Sequence, residues 1–315
     1  MKKKTYVLLG ILAAGFILFV FAGCNTGGDS PYAADPTAFA ELDPKFNEVG
    51  GFTAEAMDYR YDKEDTTKTV EVQGYKLSDI ISESEVEAKA VAAPEGDDLR
   101  PIFSYEVWAE DGYPGSADRF IPVSWTNVKD KGYYLYDPDD AEGEFSYTDP
   151  DTSETVSKAP RTAYDVSLDK ISSGYYVKDP EKVKLYRSVS ITVGEEEPFL
   201  VHISGFETTE IEWSDGDNNF THDAVALDTL LQYYIDAGTI PNYETATYEL
   251  IPYDYDPADP FSRELAYSDL TNAYFVFNLD ADGLIDYDRV VVLNEDMQTE
   301  SGRDRIKYVT GIVIE

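Results

Sequence analysis

The stretch NLDADGLIDYDR, Asn278 to Arg289, carries oxygen-bearing side chains at a spacing that can surround a hard cation. In the frame of a calcium loop, Asn278, Asp280 and Asp282 would point inward, Gly283 would permit the sharp bend, and Leu284 would offer its carbonyl. Asp286 would complete the set, directly or through water. Two departures weaken the pattern. The opening ligand is Asn rather than Asp, and Arg289 stands where a bidentate acid belongs. The flanks YFVF and RVVVL read as strands, so the expected setting is a hairpin rather than helix–loop–helix. Calcium at this tip and a simple solvated acidic turn are both open readings. The turns DGDNN (Asp215 to Asn219) and DPDDAEGE (Asp137 to Glu144) are acidic too, without a spacing that fixes a coordination sphere.

Other chemistry is constrained by what the chain lacks. Cys24 is the sole cysteine, so no disulfide can form within the chain. With two histidines, His202 and His222, neither a zinc site nor a Ser–His–Asp arrangement can be argued. His202 lies in the apolar run FLVHIS and reads as a strand residue with a satisfied hydrogen bond; His222, beside Asp223, reads as a loop residue. Among 62 acidic residues, carboxylate pairs for glycoside hydrolysis cannot be singled out by adjacency. The segment AEDGYPGSADRF follows an alternating run, and Asp111-Gly112-Tyr113 reads as a structural turn set by glycine and proline chemistry. The 25 tyrosines are expected mostly in half-buried strands, with those beside loops suited to stacking on flat ligands.

Several elements must position these groups. The N-terminus MKKKTYVLLGILAAGFILFVFAGCN has three lysines, an apolar run and small residues before Cys24, the pattern of a bacterial lipoprotein signal. Residues 1–23 are therefore expected to be removed and Cys24 lipidated, with 24–41 as a flexible tether. Losing Lys2, Lys3 and Lys4 leaves 22 basic against 62 acidic residues, a charge of about −40. Such a surface repels nucleic acid. At 43% hydrophobic and 14% aromatic residues, the composition still supports a folded core.

Beyond the tether the sequence repeats itself. Gly51-Phe52 opens a segment ending in Leu77, Ile80 and Ile81; Gly205-Phe206 opens one ending in Leu227, Leu230 and Leu231. Both triplets have the i, i+3, i+4 spacing of a helix face. SYEVWAEDGYPG is answered by TYELIPYDYDPADP, GYYLYD by NAYFVFN, and KLYRSVSITV by IKYVTGIVIE, all in the same order. Two similar domains are expected, at 42–193 and 194–315, each α+β and β-rich, a mixed sheet or barrel with one or two short helices. Gly238 is the expected cap of the second helix.

The succession of these elements resembles the molybdopterin-binding domain of the sulfite oxidase superfamily. Carrying the resemblance are Gly74 to Ile81, the strand into Asp111-Gly112-Tyr113, Ser268 to Phe277, Arg289 to Asp296, and Ile306 to Ile314. The resemblance implies a cysteine thiolate on molybdenum and basic residues on the pterin phosphate. The lipid anchor claims the one cysteine, and basic residues near loops are few: Arg119, Lys129, Lys131, Arg263, Arg303 and Arg305. The expectation is thus an inherited fold without molybdenum cofactor or catalysis. A ligand is expected between the halves or over the loops at Asp111, Tyr113, Asp254 and Tyr255. The expected role is a lipid-anchored, extracytoplasmic module at the bacterial envelope, binding a small ligand or protein partner. A redox or electron-transfer protein retaining a pterin or other cofactor is one alternative, and a structural envelope protein another.

Overall fold

The computed structural model describes residues 38–62, 67–89, 98–113, 122–165, 175–253, 262–279 and 285–315. Cys24, Asp254, Tyr255, Asp280, Asp282 and Leu284 lie outside them, and Asn278 and Asp286 are described only as strand backbone. With 46% strand against 19% helix, the chain is a β-rich α+β protein with mixed sheets.

The first half begins with β1 (Ala40–Leu42), β2 (Glu55–Arg60) and β3 (Thr69–Lys76). Short helices α1 (Leu77–Ile80) and α2 (Glu83–Glu87) lead to β4 (Phe103–Ala109) and β5 (Val123–Ser124). Helix α3 (Trp125–Lys131), β6 (Gly132–Leu135) and a hairpin of β7 (Phe145–Thr148) and β8 (Thr155–Lys158) follow. It ends with β9 (Arg161–Tyr164) and the 14-residue β10 (Pro180–Val193). The second half contains β11 (Phe199–His202), β12 (Thr209–Ser214), β13 (Asn219–Ala226) and α4 (Leu227–Asp236). After it come β14 (Thr247–Pro252), β15 (Arg263–Ala266), β16 (Ala273–Leu279) and β17 (Ile285–Val292). Strands β18 (Arg305–Lys307) and β19 (Val309–Ile314) close the chain.

Strand pairing recurs between the halves. One sheet has the order β2-β3-β6-β9 and another β12-β13-β16-β17-β18, so hairpin, third and fourth strands correspond. The remaining strands join one large sheet, β15-β14-β19-β10-β4-β5, in which β4 is antiparallel to β10 as β14 is to β19. A finer likeness supports the match. Tyr105 in β4 and Tyr248 in β14 are almost fully buried, and each hydroxyl donates to a carbonyl five residues upstream, Arg100 O at 2.8 Å and Tyr243 O at 2.9 Å. The Gly-Phe openings also agree: Phe52 N donates to Val49 O, and Phe206 N to Ile203 O.

The helix faces read from spacing are the buried ones. Leu77, Ile80 and Ile81 lie in the first core, and Leu227, Leu230 and Leu231 in the second. Each such side chain contributes about 1.5–3 kcal/mol by leaving water. Helix α4 ends as expected. Gly238 has φ +73°, its N–H donates to Ile235 O, and Thr239 N–H donates to Tyr234 O, which satisfies two carbonyls the last turn leaves open.

β10 is the joint of the molecule. It is antiparallel to β1 and β4 over its first part, and pairs with β11 and, in parallel, with β19 over its second. Val183 and Leu185 belong to the first core and Val189 and Ile191 to the second, so the cores divide inside this strand. Pairing already begins at Ala40, within the stretch read as tether: Phe39 N donates to Leu185 O at 2.7 Å. His222 corrects its reading as a loop residue. It is buried in β13, opposite Ile211 across the hairpin and diagonal to Trp213, whose Nε1 donates to His222 Nδ1 at 3.0 Å.

Candidate functional site

Odd-numbered side chains of β10 face the cores, so its even-numbered ones line the opposite face. On that face the first half assembles its densest polar array. Glu106 of β4 is buried, and its Oε2 accepts from Trp108 Nε1 at 2.7 Å and from the Tyr186 hydroxyl at 3.0 Å. Lys184 stands over the Trp108 ring, 3.3 Å from its centre, while Lys182 pairs with Glu41 of β1 at 3.1 Å. Past Tyr186, whose ring is edge-on to His202, the array reaches Ser188 and Ser104. Ser188 Oγ is 2.9 Å from His202 Nδ1 and 2.6 Å from Ser104 Oγ, and donates to Tyr186 O at 3.0 Å.

A serine 2.9 Å from an imidazole invites a nucleophile–base reading. Electrostatics argues against it. Burial pushes the His202 pKa down to about 3, far from the operating range of a general base. Ser188 is itself buried, with its hydroxyl engaged by a main-chain carbonyl. The cluster sits where β10 leaves β4 and takes up β11, and its chemistry among the described residues is that of a hydrogen-bonded joint. His202 is thus the satisfied strand residue expected from its sequence. Its partners were hidden, although Ser104, Glu106 and Trp108, and Tyr186 and Ser188, stand at the two-residue spacing that puts each set on one face.

A second joint is ionic. Arg187 and Asp288 form a two-point pair with side chains 4% and 3% exposed. The same guanidinium donates to Ile102 O at 3.0 Å and Val309 O at 2.8 Å, tying the approach to β4 to strands β17 and β19. Beside it Tyr308 holds φ +45°, outside the ordinary range of a bulky residue, and buries its ring in the first core. Tyr253 donates its N–H to Tyr308 O and packs edge-on against that ring.

Of the loop residues expected to bind a ligand, Asp111 and Tyr113 are described. Asp111 is exposed and its Oδ1 accepts from Tyr113 N at 3.0 Å, a local turn that Gly112 permits with φ +82°. Tyr113 leans on the first core, as Tyr253 does from the other half, so the chain leading to Asp254 and Tyr255 starts from that same core. A small cleft is lined by Glu106 together with Tyr105, Val107, Val123, Thr162, Tyr164, Tyr175 and Val177. The strands flanking the calcium-like segment, β16 and β17, are antiparallel neighbours: Asn278 pairs with Tyr287 and Leu279 with Ile285 across a register shift. Among the described residues no cluster of acidic, histidine or cysteine side chains is arranged to hold a metal. The other acidic turns spend carboxylates on their own backbone. Asp140 Oδ1 accepts from Glu142 N and Glu144 N, and Asp215 Oδ1 from Asp217 N and Asn218 N. The amide of Asn218 is the main cause of a lowered Asp215 pKa, and Arg305 pairs with its other oxygen at 2.6 Å.

The donor set does not fit a molybdenum cofactor. No cysteine occurs beyond Cys24, and two basic residues expected near loops are engaged, Arg263 with Asp304 and Arg305 with Asp215. No family model matches the chain, and neither a curated protein nor a solved structure does.

Proposed function

We propose that this chain is a lipid-anchored extracytoplasmic binding or interaction protein, built on two non-catalytic units of the sulfite oxidase-type molybdopterin-domain kind. The observation that carries the reading is the mutual bonding, among the described residues, of its best-formed polar constellation. Glu106, Tyr186, Ser188, Ser104 and His202 bond one another, and the His202 imidazole is held neutral by burial. The recurring strand order and the paired Tyr105 and Tyr248 corners support a duplicated unit. The missing thiolate supports loss of metal chemistry. A scaffold stiffened at β10 suits presentation of loops at its ends, where Tyr113 and Tyr253 emerge from one core.

Titration calorimetry of the processed protein against envelope sugars, peptides and calcium, paired with an activity screen, tests the proposal. Saturable binding without turnover supports it, and turnover overturns it. Anchoring is tested separately: Cys24→Ser is expected to move the protein from membrane to soluble fractions, and unchanged membrane retention contradicts lipidation at that residue.

A further inference from the structure

The acidic turn Asp215 to Asn219 runs directly into a second motif. Asn219-Phe220-Thr221 is an Asn-X-Ser/Thr triplet, the acceptor for N-linked glycans, and none of the other eight asparagines stands in one. Asp217, two positions before the asparagine, gives the longer Asp-X-Asn-X-Thr form that bacterial transferases accept. The triplet carries weight only where an enzyme can reach it, in a surface segment of an exported chain.

The triplet stands at the tip of the β12–β13 hairpin, where Asn219 pairs with Ser214. Asn219 and Thr221 share one face of β13, about 7 Å apart along the strand, and both are exposed. Val225, further along that face, lies in the second core, so the row of side chains starts beyond the core's edge. Phe220 takes the opposite face and stacks on Trp213 at 4.5 Å, which pins the strand under the acceptor pair. Other groups brace the turn. Ser214 Oγ accepts from Gly216 N at 3.0 Å and donates to Asn218 O at 2.8 Å. Asp215 Oδ1 accepts from Asp217 N at 3.1 Å and from Asn218 N at 2.8 Å. None of these bonds uses the Asn219 amide. A Cβ added at Gly216, whose φ is +92°, would meet nothing within 4 Å. A sugar on Asn219 Nδ2 therefore leaves the turn and the Trp213 stack intact.

We infer that Asn219 is an N-glycosylation site, and that the group it takes is an oligosaccharide carried on a lipid pyrophosphate. Asn219 Nδ2 attacks C1 of the first sugar, and the new C–N bond forms as the C1–O bond to pyrophosphate breaks. The lipid pyrophosphate leaves with the bonding electron pair, and the amide nitrogen gives one proton to a base of the transferase. Nothing is oxidised or reduced. Thr221 presents its hydroxyl on the side of the strand that carries the amide, where one enzyme can read both. The inference rests on the extracytoplasmic location proposed above, because such transfer takes place outside the cytoplasm.

Mass spectrometry of the full chain purified from the organism that makes it tests the site, on the intact protein and on the peptide that spans Asp215 to Asp223. The variants Asn219→Gln, Thr221→Ala and Thr221→Ser are produced in the same host. The wild-type peptide is expected to carry an added oligosaccharide mass on Asn219. Asn219→Gln and Thr221→Ala should lose that mass completely, and Thr221→Ser, which keeps a hydroxyl, should retain it. Both positions are exposed, so none of these changes touches the core. An unmodified peptide in protein whose Cys24 carries lipid overturns the site and leaves the location standing. An unmodified peptide in protein without lipid, recovered from the cytosol, overturns the location and the site together. A glycan that persists in Asn219→Gln or in Thr221→Ala overturns the assignment as well.

Discussion

Replacing Asp288 by alanine attacks the ionic joint at its anionic end. The Arg187 guanidinium then stays in place, 4% exposed, held by the carbonyls of Ile102, Ser188 and Val309 but without a counter-charge. Removing one partner of a pair this deeply buried costs about 3–5 kcal/mol. Against a total stability of about 5–15 kcal/mol, that is a large share. Urea unfolding followed by circular dichroism and by tryptophan fluorescence measures the loss. Trp108 and Trp125 report on the first half and Trp213 on the second, so the two signals also show whether the halves come apart. The joint ties β17 and β19 to the approach to β4, so the two transitions should separate in the variant. The double replacement Arg187→Met with Asp288→Leu removes both charges and should recover at least about 1 kcal/mol over Asp288→Ala. Full recovery is not expected, because the carbonyls of Ile102 and Val309 lose their donor. A loss below about 1 kcal/mol for Asp288→Ala, or a double variant no more stable than the single, refutes the reasoning.

Three further outcomes follow from named contacts. His202 is neutral in the fold, with a pKa near 3 against 6.5 unfolded, so the unfolded chain binds its proton first. Its contribution to stability is intact above about pH 6.5 and is lost as pH falls toward 3, by up to about 1.4 kcal/mol per unit. His202→Gln should flatten that acid limb, and a resonance assigned to His202 titrating near 6.5 by NMR would sink the prediction. Tyr105→Phe and Tyr248→Phe each remove one equivalent hydrogen bond and should cost about 0.5–1.5 kcal/mol apiece in chemical denaturation. A marked inequality would count against equivalent corners. Gly238→Ala meets open space but must adopt φ +73°, so thermal unfolding should register a loss of about 1–2 kcal/mol.

Local periodicity made much of this architecture legible. The triplets Leu77, Ile80, Ile81 and Leu227, Leu230, Leu231 point inward because their spacing leaves no other shared face to bury. Gly238 was readable because few other residues tolerate the left-handed cap. The joints were not legible. Arg187 and Asp288 are 101 positions apart, and nothing local distinguishes this arginine from one on a solvated strand. His222 reads as a loop residue beside Asp223, yet a cross-strand tryptophan draws it into the sheet.

Metal and pterin analysis of the protein isolated from the organism that makes it bears most directly on the proposal of a scaffold without metal chemistry. The expected result is molybdenum far below one atom per chain, with no pterin fluorescence in the denatured extract. One molybdenum atom and one pterin per chain would contradict it.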